Sequence, residues 1–257
     1  MYMGRWSRLM AAAFLDWLRP EPRGRWLEFG CGTGALTAAI RHSCAPETLV
    51  ACDPSEAFVG HARARLPDQR VSFLVADAGA LPRLEGGFDA VVSGLVLNFV
   101  SDPGAALAAV RARLRPGGVA AAYVWDYAEG MEFLRIFWDE AAALDERAAA
   151  LDEGVRFPLC RGPALAELFR EAGLGAVRCE AIEVVTEFAS FEDYWSPFLH
   201  GTGPAPAFVA TLAPREQHAL RDRLAARLTA ERDGRIRLRA RAWAVRGTAP
   251  GPAPAGG

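Results

Sequence analysis

The stretch WLEFGCGTGALT, Trp26 to Thr37, spaces Gly30, Gly32 and Gly34 two residues apart and sets a carboxyl group, Glu28, just ahead of them. Residues without side chains permit a tight turn and let a ligand come close to the backbone. Nineteen residues beyond Gly34 stands Asp53, at the end of TLVACD. An acid there suits the two vicinal hydroxyls of a ribose. Asp77, followed by Ala78, closes VSFLVAD. An acid can accept from an adenine amino group while the next backbone N–H donates to the ring. The implied chemistry is the capture of a nucleoside.

Positioning these groups requires strands that end where the acids stand. GRWLEFG reads as a short buried strand running into the glycine turn, and GALTAAIRHSC as the helix after it. TLVACD, VSFLVAD, FDAVVSG and VAAAYVW read as four more strands. PSEAFVGHARARL and VSDPGAALAAVRARL read as helices between them, and RPGG as a turn into the fifth strand. Alternating strands and helices predict a mostly parallel sheet with helices on both faces. Residues 5–18 form a further helix, ended by Pro20 and Pro22. Beyond Asp126 the pattern turns helical, interrupted by two extended segments, AVRCEAIEVVTEF and IRLRARAWAV. These predict a terminal antiparallel pair rather than a second mononucleotide-binding half. The Gly/Pro/Ala-rich tail 248–257 reads as disordered.

The 257 residues, 51% of them hydrophobic, suit one large α/β domain, and the net charge of −2 is no footprint of a dedicated nucleic-acid or membrane binder. No apolar run is long enough to span a bilayer, and no signal peptide is visible. Five cysteines at 31, 44, 52, 160 and 179 form no C-x-x-C pair. They read as free thiols of a cytoplasmic protein, with no metal site. All 29 basic residues are arginine, which excludes any mechanism through a catalytic lysine.

The glycines alone leave the cofactor open, since Gly30, Gly32 and Ala35 also satisfy the dinucleotide fingerprint. NAD and S-adenosylmethionine both present a ribose diol. Glu28 favours the second, because a carboxylate repels a pyrophosphate and attracts an ammonium or sulfonium. Asp77-Ala78 and the terminal extended pair point the same way.

LEFGCGTG, ACDPS, VADAGALP, FDAVVSGLVLNFVSD and LRPGG, in this order, resemble the motifs of class I S-adenosylmethionine-dependent methyltransferases. The chain is most similar to the small-molecule, ubiquinone/menaquinone-type branch (type 11-like). The resemblance is strong over 24–126 and looser to Gly247. It implies a Rossmann-like, seven-stranded, mostly parallel sheet with a terminal antiparallel strand. One domain then covers 1–247, with its core at 24–126. Residues 127–247 complete the sheet and carry a helical lid insertion at about 191–233.

The resemblance further implies that Glu28, Gly30, Gly32 and Gly34 line the methionine and ribose portion. Asp53 grips the ribose with Pro54 beside the adenine, Asp77 and Ala78 read the adenine edge, and Ser93 and Asn98 face the sulfonium. MGRWSR resembles a segment that folds over the cofactor, with Arg5 meeting its carboxylate. The cofactor is then S-adenosylmethionine and the partner a small-molecule acceptor, methylated at O, N or C by in-line displacement. A general base is needed only for a protonated nucleophile, and Asp126 and His200 are the candidates. Trp125, Tyr127, Trp138, Tyr194 and Trp195 are candidates to face the acceptor.

Competing readings remain at this point. Asp53 and Asn98 also fit as cap or turn residues, and the aromatics as core. FEDYWSPFLHGTGPAPAF fits a lid or a homodimer interface. Ten arginines between Arg215 and Arg246 leave an RNA methyltransferase open, though no RNA-binding module accompanies them. An NAD-dependent dehydrogenase, a noncatalytic cofactor-binding module, a protein methyltransferase and a cyclase that uses the sulfonium charge complete the alternatives.

Overall fold

The computed structural model describes residues 4–251. The Arg5 side chain, the start of MGRWSR and residues 252–257 of the expected tail lie outside the described part. In chain order the elements are α1 (Gly4–Leu18), β1 (Arg25–Phe29), α2 (Ala35–Ser43), β2 (Thr48–Asp53), α3 (Glu56–Arg65), β3 (Val71–Val75), β4 (Phe88–Gly94), α4 (Pro103–Arg113) and β5 (Leu114–Trp125). There follow α5 (Glu132–Leu144), α6 (Glu153–Arg156), α7 (Gly162–Glu171), β6 (Gly175–Phe188), α8 (Phe191–His200), α9 (Pro204–Thr211), α10 (Pro214–Arg227) and β7 (Ile236–Thr248).

The strands form one seven-stranded sheet in the order β3-β2-β1-β4-β5-β7-β6. Strands β1 to β5 pair in parallel. Central β1 is buried along nearly its whole length, as a parallel strand covered on both faces must be. Strand β7 runs antiparallel to β5: Ala249 N–H donates to Gly118 O at one end and Asp126 N–H to Arg241 O at the other. Its RIRLRAR sequence alternates as a strand with one buried side should, with Ile236, Leu238, Ala240 and Ala242 inward.

Several boundaries differ from the sequence reading, among them the end of β3, at Val75 rather than Asp77, and the start of α4, at Pro103. LRPGG belongs to β5 itself, because a bulge between Phe88 and Ala90 lets Leu114 pair with Phe88 ahead of the glycines. The first two residues of the expected tail are ordered. Thr248 ends β7, and Ala249 is buried, exchanging backbone bonds with Gly117 and Gly118.

The chain folds into two compact units. One comprises Ser7–Val124, Gly162–Ile182 and the chain from Trp243 on; the other holds Trp6, Trp125–Arg161 and Glu183–Ala242. In the first, α3 seals the sheet through Val59 and Ala62 against Ala51, Cys31 and Phe73. In the second, helices α5, α8 and α9 pack around stacked rings. Phe198 lies 4.3 Å from Phe137 and 4.7 Å from Phe133, centroid to centroid, each pair nearly parallel.

The aromatic candidates belong to this second core. Trp125, Tyr127, Trp138, Tyr194 and Trp195 are all buried. The Tyr194 hydroxyl donates to Phe133 O at 3.0 Å, and the Trp138 indole to Glu153. FEDYWSPFLH forms α8, capped by Ser190, with its rings turned inward. These rings are buried against one another rather than exposed.

Candidate active site

The glycine turn leaves β1 in the left-handed region. Gly30, Gly32 and Gly34 have φ of +68°, +52° and +87°. Crowding explains two of them. A Cβ on Gly30 would come within 2.5 Å of both Val96 methyls, and one on Gly34 within 2.8 Å of Leu66 Cδ1. Gly32 differs: nothing lies within 4 Å of the place its Cβ would take. The backbone there is bare and faces open space, as close approach of a ligand requires.

Asp53 ends β2 beside this turn. Its Oδ2 accepts from Gly32 N–H at 2.9 Å and its Oδ1 from Ser55 N–H at 2.9 Å. Asp53 is buried and is not the helix cap; Ser55 caps α3 by accepting from Phe58 N–H. Pro54 between them is exposed. Asp77 lies two residues past the end of β3, exposed, with Oδ1 accepting from the N–H groups of Gly79 and Ala80 at 2.8 and 2.9 Å. Its second oxygen has no partner among the described residues, and Ala78 beside it is half-buried.

Glu28 lies inside β1, opposite Ala51 and Val92, and is 1% exposed. Its Oε2 accepts from the Thr37 hydroxyl at 2.6 Å. Burial pushes its carboxyl from 4.5 up to about 8; the Thr37 bond opposes the rise and Asp53 adds to it. The sequence reading treats Glu28 as a carboxylate. Here burial favours the protonated acid over the carboxylate. The neighbouring thiols respond to the same charges. Burial drives Cys52 up to about 12 and Cys31 higher still, with Glu28 and Asp53 adding to both.

Ser93, near the end of β4, is fully buried, and its Oγ has no hydrogen-bond partner among the described residues. Asn98 lies within the 3-10 turn Leu97–Phe99, its Nδ2 likewise buried and unpartnered. It does not cap the following helix, since Asp102 performs that task for α4. Between them Leu95 takes φ +62°, with its N–H bonded to Tyr123 O at 2.8 Å. A branched side chain in that region marks stored strain. Sequence reasoning missed Leu95 and Thr37. The nine-residue separation of Glu28 and Thr37 carries no pattern, and nothing in LVLN marks a left-handed leucine.

The proposed bases are placed differently. Asp126 is 2% exposed; its Oδ1 accepts from Glu129 N–H at 3.1 Å and its Oδ2 from Arg241 Nε at 2.7 Å. Both oxygens are engaged, one of them in an ion pair whose carboxylate is buried and whose guanidinium is partly exposed. Losing such a charge-assisted bond costs about 1.5–3 kcal/mol. Arg241→Ala is therefore expected to lower unfolding free energy by about that amount, read by chemical denaturation. His200, the last residue of α8, is exposed and makes no hydrogen bond or ion pair among the described residues. The arginines of the late segment are mostly paired: Arg237 with Glu187, Glu231 and Asp233, Arg239 with Glu132, Arg223 and Arg227 with Glu140. All five cysteines are free, and no cluster of metal-ligating side chains occurs among the described residues. No helix there is long and apolar enough to cross a membrane.

Comparison with known proteins adds the family. Residues 27–122 match the family described as a methyltransferase domain. A demethylmenaquinone methyltransferase of Beutenbergia cavernae is 36% identical over 112 residues, 44% of this chain and 45% of that one. The ubiquinone/menaquinone biosynthesis C-methyltransferase of Desulfotalea psychrophila is 28% identical over 183 residues, 66% and 71% of the two chains. The match thus spans less than half the length of the first relative. Phosphoethanolamine N-methyltransferase 2 of Haemonchus contortus, solved with S-adenosyl-L-methionine, shares the fold at TM-score 0.57 and 16% identity, over 94% of this chain and 52% of that one. Strand order, bare glycine turn, the acids after β2 and β3 and these matches agree: over residues 27–122 the chain is similar to a methyltransferase domain, and its sheet has the fold of solved S-adenosylmethionine-dependent methyltransferases.

Proposed function

We propose that the protein transfers a methyl group from S-adenosylmethionine to an oxygen, nitrogen or carbon of a small organic acceptor. The observation that carries this reading is the bare backbone at Gly32, tied to Asp53 and flanked by the acid Glu28 and the unpartnered polar atoms of Ser93 and Asn98. Those two atoms each cost about 1–3 kcal/mol while unsatisfied, which a polar ligand would recover.

In this reading Asp53 accepts hydrogen bonds from the ribose diol, with Pro54 packed beside the base. Asp77 offers its second oxygen to the adenine amino group, and Ala78 its N–H to the ring. Glu28 gives up its proton as a cationic group arrives and then balances that charge. Gly30 and Gly34 hold the turn in shape, and Gly32 lets the ligand meet the backbone. The cofactor supplies a methyl carbon already activated by positive sulfur. The chain's share is binding, alignment and exclusion of water. Asp126 serves as a structural anchor for Arg241; of the two base candidates His200 has the unengaged side chain. The paired arginines favour a small acceptor over nucleic acid, and the free thiols a reducing cytoplasm.

Calorimetry with S-adenosylmethionine and with NAD tests the cofactor. Binding of NAD alone would overturn the reading, and binding of S-adenosylmethionine without turnover on any extract metabolite would support a noncatalytic module. A labelled-methyl screen on extract of the source organism would name the acceptor. Two alanine substitutions test the turn. Gly30→Ala adds a clash to a left-handed backbone and is expected to cost about 2–4 kcal/mol of stability. Gly32→Ala meets only the backbone strain, about 1 kcal/mol, yet its methyl occupies the ligand's place. Its cofactor Kd is expected to rise at least about tenfold, or about 1.4 kcal/mol. Wild-type affinity in Gly32→Ala would put the cofactor elsewhere.

A further inference from the structure

A cavity of about 640 Å³ opens at the other end of the same strands. It is bounded by the loop from Leu18 to Arg25 and by residues at or near the amino ends of β1, β4 and β5. The acids and glycines of the proposed cofactor site stand at the carboxyl ends. Five residues of β1 at about 3.3 Å each separate the two by about 15 Å. The volume falls in the usual range for small-molecule pockets.

Its walls are cationic. Arg19, Arg23, Arg25, Arg115 and Arg246 line it, against Glu21, Glu47 and Asp89. Asp89 is already engaged, accepting from Arg25 N–H at 2.6 Å and pairing with Arg115. Arg25 spends its remaining nitrogens on the carbonyls of Glu85 and Gly86, and Arg246 bonds Leu18 O. The guanidinium groups of Arg19 and Arg23 have no hydrogen bond or ion pair among the described residues. Both residues are held at left-handed φ, +46° and +66°, with their N–H groups tied to Leu15 O and Cys44 O.

Trp26 supplies the second observation. It lines the cavity, is 1% exposed, and its indole Nε1 has no hydrogen-bond partner among the described residues. That nitrogen lies at the Gly24 wall: a Cβ on Gly24 would be 3.3 Å from it and 3.2 Å from Asp89 Cβ. A buried donor without an acceptor is costly in a native protein. In a cavity whose wall also carries the exposed, unpaired guanidinium groups of Arg19 and Arg23, an oxyanion would supply the missing partner.

We infer that this cavity binds a small organic anion bearing carboxylate or phosphate groups, with Trp26 Nε1 donating to one oxygen and Arg19 and Arg23 supplying the charge. The site is separate from the cofactor turn and does not rest on the proposed methyl transfer.

The test uses the full chain with isotope-labelled tryptophan. The sequence has seven tryptophans, and Trp26→Phe identifies the Trp26 indole signal by its loss. Titration with citrate, inorganic phosphate and, as a neutral control, glycerol is expected to move that signal saturably for one of the anions and not for glycerol. Which anion does so distinguishes carboxylate from phosphate. In Arg19→Gln/Arg23→Gln the apparent Kd is expected to weaken at least about tenfold. Should that variant unfold, calorimetry on Trp26→Phe is expected to show the same loss. A Trp26 signal that stays still up to about 10 mM of either anion, or a response that both variants leave unchanged, would overturn the inference.

Discussion

Glu28→Gln is expected to make the empty protein more stable at alkaline pH and a poorer binder of S-adenosylmethionine. The native carboxyl binds its proton far more tightly folded, at about 8, than unfolded, at 4.5. The stability it contributes is complete below 4.5 and is lost as pH rises through 8. With each tenfold change in proton affinity equal to about 1.4 kcal/mol, the loss is on the order of 5 kcal/mol. Glutamine keeps the size and the Thr37 bond but has no charge to bury, so its stability should stay flat across that window. Its cofactor affinity should also lose the part of the pH dependence that Glu28 supplies. In the native protein, affinity for a cationic ligand rises with pH toward 8, because binding must release the Glu28 proton. Denaturation curves at several pH values read the first effect, and calorimetry in buffers of different ionisation enthalpy reads the second. Equal pH dependence in the two proteins would remove Glu28 from both roles.

Asp53→Ala is expected to weaken cofactor binding by about 1.5–3 kcal/mol for each charge-assisted bond lost to the ribose, so at least tenfold. The same change strands the N–H groups of Gly32 and Ser55, so the turn loosens as well. Asp53→Asn separates the contributions, since it keeps one acceptor and the volume but loses the charge. Calorimetry alongside melting of the cofactor-free protein distinguishes lost contacts from lost fold. Unchanged affinity in Asp53→Ala would exclude this acid from the site.

The parts of the fold that follow from local rules were legible in the residues. The positions of Asp53 at the end of β2 and of Asp77 just past β3 follow from apolar runs that stop at an acid, and β7 from the alternation in IRLRARAWAV. Glycine spacing likewise marked the turn, although only the structure separates Gly32, which faces open space, from Gly30 and Gly34, which are hemmed in. What sequence could not give depends on partners far along the chain. Asp126 reads as a free acid until Arg241, on another strand, closes on it. The rings of α8 fit a cage or a core equally well by spacing, and the stack on Phe133 and Phe137 decides for the core. The protonation of Glu28 is a consequence of burial, which no motif records. The amino-end cavity joins residues from Leu18 to Arg246, and no spacing rule links them.

The thiols of Cys31 and Cys52 border the acids that serve the proposed cofactor. A sulfonium methyl is an alkylating agent, and a thiolate, not a thiol, is the nucleophile that would capture it. Because burial and the acids keep both sulfurs protonated, the chain can hold two soft nucleophiles beside such a reagent without methylating itself. In the proposed site, the burial that raises Glu28 would thus also hold both thiols in the form that a sulfonium does not alkylate.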